Sequence, residues 1–147
     1  MRRSRRSSAW RGRAQAAARL SIHAVKAAGE ALDVLERAGA LVGNACIFHW
    51  FSGTSDELQR AVRAGCFFSI NPRMLASKRG RAYAQAVPAE RLLLETDEPP
   101  EAGPVVPAGE FARLLEGALD EIARLRREDP EALAERIAHT SRDLLGR

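Results

Sequence analysis

Four times along this 147-residue chain a short apolar run gives way to a helical stretch, and this alternation constrains the fold more than any other feature. Leu20–Ser21–Ile22 ends at His23 and leads to Ala28, Ala31, Leu32, Leu35 and Ala38 at helical spacing, with Gly39 placed to stop the helix. Ala45 to Phe48 is the second run. Thr54 and Glu57 then stand at capping-box spacing and open a helix carrying Leu58, Ala61 and Val62, which Gly65 closes. Cys66 to Ile70 is the third, leading through Asn71–Pro72 to a helix around Lys78 to Ala86. Arg91 to Glu95 is the fourth, followed by a proline-rich loop over Asp97 to Pro107. Two helices finish the chain: one with Phe111, Leu114, Leu115, Ala118, Leu119, Ile122 and Leu125 as its apolar stripe, and one opened by Asp129 and Pro130. Strands alternating with helices over short links predict an α/β fold, about four parallel strands with outer helices. Four such units fit a small doubly wound sheet or half of an eight-stranded barrel.

Charge divides the chain. Residues 1–19 hold seven arginines and no acid, whereas the remainder has 16 basic against 19 acidic residues, a net −3. This predicts a basic arm over 1–19 on a mildly acidic domain spanning 20–147. Such an arm suits nonspecific phosphate contact, a transit peptide or sequence outside the fold. With only Trp10 as an interleaved aromatic, specific nucleic-acid binding by the arm is disfavoured. No apolar run reaches the length of a bilayer span, so no membrane association is expected. Cys46 and Cys66 lie in separate apolar runs, which reads as two reduced core thiols in a cytoplasmic protein. No GxGxxG or Walker pattern occurs.

His23, His49 and Asp97 each fall at or just past the C-terminal end of a strand, the edge where parallel α/β folds bind ligands. Two imidazoles and a carboxylate suit zinc or a similar divalent ion. A histidine after a strand is more often a hydrogen-bonded core residue than a ligand; three donors at one placement bring the two readings level. Strand alternation puts Glu95 and Leu93 on the inward face with Asp97, and Ile47 with His49, turning Cys46 and Phe48 outward. A buried Glu95 needs a partner, which suggests that it orients a ligand or a loop. Ser52 and Gly53 follow His49 and read equally as a helix-entry turn or as a loop over substrate.

The stretches SIHAVKAA, FHWFSGTSDELQRAVRAGCFFSI and VPAERLLLETDEPP resemble the TatD-like metal-dependent hydrolases, barrel enzymes of which many are deoxyribonucleases. The likeness covers about Leu20 to Arg147, and HWFSG with FFSIN is most similar to the branch associated with Qat anti-phage defence. It implies the C-terminal half of a metallo-dependent hydrolase barrel, a partial TIM barrel. It further implies that His23 and His49 hold one metal and that Asp97 is the catalytic carboxylate of the other. Ser52 and Gly53 would shape the loop over the phosphate. The implied cofactors are two divalent ions (Zn, Mg or Mn), and the implied reaction is attack of metal-activated water on DNA or another phosphodiester.

The departures from the family are as informative. No His-x-His occurs, nor a Gly-Glu-x-Gly-x-Asp segment, so the two-metal site is incomplete; Glu98 and Pro100 replace the family's usual small and aromatic residues. The expectation is a truncated copy with weak or no activity. Its alternative is a non-catalytic half-barrel that docks with a separately encoded N-terminal half or with itself. A remnant that binds nucleic acid through the arginine arm is a third reading.

Overall fold

The computed structural model describes residues 18–98 and 106–146; the expectation of a basic arm falls almost wholly on residues outside these, and Arg19 is already the first residue of a strand. Four strands, β1 (Arg19–His23), β2 (Ala45–His49), β3 (Phe67–Ile70) and β4 (Leu92–Leu94), form one sheet in the order β1-β2-β3-β4. All three pairings are parallel, with Ile22 opposite Phe48, Phe48 opposite Phe68, and Phe68 opposite Leu92. Helices α1 (Ala28–Arg37), α2 (Ser55–Arg63), α3 (Pro72–Ala76), α4 (Lys78–Ala86), α5 (Ala108–Arg126) and α6 (Pro130–Leu145) fill the connections and the C-terminus. The predicted α/β architecture is the one observed.

Local chemistry explains the boundaries. Thr54 accepts from the Glu57 N–H while Glu57 accepts from the Thr54 N–H, a complete capping box on α2. Asp129 caps α6 ahead of Pro130. Gly39 and Gly65 follow α1 and α2 with positive φ, the left-handed step that ends a helix at little cost. The five-residue α3 has no counterpart in the sequence reading, because it is too short to show a period. Its local signals are Asn71, whose side chain accepts from the Met74 N–H, and Pro72 in its first turn.

The pleat sorts side chains into two apolar clusters. Cys46, Phe48, Phe68, Ile70 and Leu92 face the helices and meet Leu32, Leu58, Ile122 and Leu133 in the main core. Ala45, Phe67 and Leu93 lie on the opposite face, where Leu144 from the last turn of α6 covers them and Ile47 packs alongside. Arg19 at the far edge of the sheet donates to the Leu144 carbonyl, so α6 spans the lower end of that inner face. Above Leu144 lies a cavity of about 310 Å³ bounded by Ile47, Ser69, Leu93 and Glu95. Its upper wall is the polar cluster described next.

Candidate metal centre

The ends of β1, β2 and β4 bring His23, His49, Glu95 and Asp97 to one mouth. His23 pairs in register with His49, and their ring centroids are 5.2 Å apart with planes tilted by 33°. Glu95 extends the β4 ladder by donating its N–H to the Ile70 carbonyl, and Asp97 two residues on turns into the left-handed region at φ 57°. The two carboxylates therefore approach His49 from opposite sides of its ring. Glu95 Oε2 lies 2.5 Å from Nδ1, and Asp97 Oδ1 lies 3.2 Å from Nε2.

Glu95 is the best-tied group at the mouth. Its Oε2 also accepts from the Ser69 hydroxyl at 2.6 Å, and its Oε1 accepts from Asn71 Nδ2 at 2.9 Å. Sequence reasoning named Glu95 but passed over Ser69 and Asn71. The available signal was their position: Ser69 shares the inward face of an otherwise apolar strand with Phe67, and Asn71 continues that alternation one residue past the strand, where a polar pair needs a polar partner.

Ser52 and Gly53 lie in the loop after β2, which is fastened on every side. The Ser52 hydroxyl accepts the Lys26 N–H at 3.2 Å and donates to the Ala24 carbonyl at 3.5 Å, stitching this loop to the one after β1. Tyr83 donates its hydroxyl to the Gly53 carbonyl. A methyl group on Gly53 would sit 2.7 Å from Phe51, 2.7 Å from Glu57 Oε2 and 2.8 Å from the Ala28 Cβ. His139 lies apart on α6, exposed and 3.5 Å from Asp143.

The 3.2 Å between His49 Nε2 and Asp97 Oδ1 is an ion-pair contact, close enough for the two groups to serve one divalent ion or two neighbouring ones. Imidazole beside carboxylate is likewise a donor chemistry that divalent ions take. Yet among the described residues no group of three or more His, Cys, Asp or Glu side chains is arranged to hold a metal. The donors fit a divalent ion in kind, and fall short of a closed coordination shell in number.

A four-stranded parallel sheet flanked by helices, with ionisable side chains gathered at the C-terminal ends of its strands, defines the class: an α/β fold whose strand-end edge is the one where such folds place their sites. The chain belongs to the TatD related DNase family, whose profile matches residues 13–146. It is 34% identical over 110 residues to a 3'-5' ssDNA/RNA exonuclease TatD from Pantoea ananatis (strain LMG 20103), covering 69% of this chain and 42% of that protein. It is 29% identical over 80 residues to Deoxyribonuclease Tat-D of Schizosaccharomyces pombe (strain 972 / ATCC 24843), covering 54% of this chain and 26% of that one. Among solved structures, a TatD family hydrolase from Entamoeba histolytica superposes with a TM-score of 0.71 at 14% identity, over 86% of this chain and 50% of its own. YJJV, a TatD homologue from Escherichia coli K12, gives 0.69 at 21% identity, over 86% and 49%. The chain thus spans less than half the length of these two curated relatives and about half of the solved barrels.

Proposed function

We propose that this chain carries part of the active site of a metal-dependent nuclease that hydrolyses phosphodiester bonds in DNA or a related ester. The observation that carries the reading is the facing pair of His49 Nε2 and Asp97 Oδ1 at 3.2 Å, with the His23 ring beside it at the same strand-end mouth. In this reading His23, His49 and Asp97 are donors to divalent metal, Asp97 is the carboxylate next to the reacting atoms, and Glu95 orients His49. When bound, the metal supplies activated water and steadies the oxygens of the displaced phosphate. The chain's own residues set the geometry: Glu95 holds His49 by Nδ1 and leaves Nε2 toward the mouth, and the Ser52 stitches fix the loops after β1 and β2 against each other. The closer likeness of HWFSG and FFSIN to the Qat-associated branch belongs to the same proposal.

Because the sequence holds neither a His-x-His pair nor a Gly-Glu-x-Gly-x-Asp segment, turnover by this chain alone should be weak or absent. The test is cleavage of a labelled single-stranded DNA oligonucleotide by the purified chain with Mn²⁺, Mg²⁺ or Zn²⁺. Slow or background cleavage is expected, any of it lost in both His49→Ala and Asp97→Asn. Cleavage that survives both substitutions would refute the site, and fast cleavage abolished by His49→Ala would refute the expectation of weakness.

A second reading, docking onto a complementary half-barrel or a second copy, is favoured by the sheet edges. Among the described residues β1 pairs only with β2, and β4 only with β3. Unpaired edges of a parallel sheet are normally covered. Size-exclusion chromatography with light scattering tests self-docking, and a stable monomer would count against it.

A further inference from the structure

We infer that Ser69 and Asn71 are positioning residues which fix, through Glu95, the nitrogen that His49 presents to the mouth. The inference rests on the reading of His49 as a metal donor but is argued from hydrogen-bond polarity alone. It starts at the N-terminus of α3. The Asn71 Oδ1 accepts the Met74 N–H at 2.8 Å, so the amide cannot flip without losing that cap, and its Nδ2 must be the atom that donates to Glu95 Oε1 at 2.9 Å. Asn71 is wholly buried, so water offers its amide no alternative partner.

The polarity then propagates. Ser69, also buried, donates to Glu95 Oε2 at 2.6 Å, and the carboxylate so held by two donors is acceptor-only. His49 Nδ1, 2.5 Å from the same Oε2, has to carry hydrogen and donate. Asp97 Oδ1 faces the other ring nitrogen at the longer distance of 3.2 Å, so the firmly held Glu95 has the stronger claim on the ring hydrogen, and Nε2 is the nitrogen presented to the mouth. A helix cap thereby decides the orientation of a ring across two strands. Neither Ser69 nor Asn71 needs to touch substrate or metal.

Asn71→Asp separates this role from a merely structural one. Aspartate caps a helix as well as asparagine does, so α3 is kept, but it sets an acceptor against Glu95 Oε1 in place of the donor. The experiment uses the full, metal-free chain labelled with ¹⁵N. Long-range proton–nitrogen correlation reads which ring nitrogen of His49 carries hydrogen, and a parallel titration with Co²⁺ reads affinity. In the unmodified chain Nδ1 should carry hydrogen. In Asn71→Asp the ring signals should move toward the average of the two tautomers, and Co²⁺ affinity should fall about 10- to 100-fold. Ser69→Ala, which touches no cap, should shift both readouts in the same direction and serves if Asn71→Asp does not fold. An Nδ1 bare of hydrogen in the unmodified chain overturns the inference. So do variants that match it in both spectrum and affinity. A fixed Nδ1–H with no Co²⁺ uptake by any form would refute the metal reading of the mouth and leave the positioning role standing.

Discussion

Gly53→Ala decides whether the glycine of HWFSG serves packing or an approaching phosphate. Its φ lies outside the left-handed region, so the cost of a side chain here is steric. The new Cβ would stand 2.7 Å from Phe51, 2.7 Å from Glu57 Oε2 and 2.8 Å from the Ala28 Cβ, all closer than carbon contacts allow. None of the three can retreat cheaply. Phe51 is held edge-on by Phe48, Phe68 and Tyr83 at centroid distances of 5.5, 5.6 and 5.5 Å. Glu57 can move only by releasing the Thr54 N–H that it accepts at 2.6 Å, and Ala28 is buried at the start of α1. Overpacking of this kind costs about 1–3 kcal/mol, and yielding of Glu57 would add about 1 kcal/mol for the lost cap. Urea unfolding followed by circular dichroism should therefore show a loss of roughly 2–4 kcal/mol. In a double-mutant cycle, Glu57→Ala should recover part of the Gly53→Ala penalty, because it removes one of the three clashes. A Gly53→Ala chain within about 0.5 kcal/mol of the original would refute the packing account, and more decisively so if DNA or phosphate binding fell at unchanged stability.

Three further outcomes follow from the core and its buried polar groups. Burial pushes the Cys66 thiol from 9.0 up to about 12 and raises Cys46 as well. Both should resist thiol reagents at pH 8 until the chain unfolds; because the folded state retains these protons longer, stability should fall as pH rises above about 9, the unfolded thiol range. Leu144→Ala, which opens the inner cluster at Ala45, Phe67 and Leu93, should cost about 2–4 kcal/mol in the same urea assay. Leu145→Ala, at a position 61% exposed, should stay within about 0.5 kcal/mol. Tyr83→Phe strips the Gly53 carbonyl of its donor and should cost about 1–3 kcal/mol, read as a lowered midpoint at an unchanged slope.

Periodicity made the sheet legible and left the centre of the site half-read. The inward and outward sorting of Ile47, Cys46 and Phe48 follows from alternation alone, and the core clusters agree with it. Capping chemistry located α2 and α6 for the same reason: both signals are local to a few residues. Glu95 could be placed on the inner face, but its partners could not, because Ser69 and Asn71 lie 26 and 24 residues away and join it only through strand register. Alternation carried past the last ladder bond puts Asp97 on the face of Glu95, one pleat further along, and both carboxylates reach His49, at opposite ring nitrogens. The left-handed turn of the backbone at Asp97 carries no signal in the alternation.

That turn is one of a set. Of the four described non-glycine residues with positive φ, three lie just after strands whose ends form the mouth: Lys26 after β1, Trp50 after β2 and Asp97 after β4. Aspartate tolerates this conformation, whereas a bulky side chain such as Trp50 at φ 47° stores a cost of about 1–3 kcal/mol. Something nearby must hold it. Trp50 packs against the main core, Phe51 is locked in its aromatic cluster, and Ser52 and Tyr83 tie the next two residues to separate elements. A strand that simply ran on into its helix would need none of these restraints. The strain is concentrated at Trp50, and the fastening is densest beside it, which fixes the loop that directly follows His49.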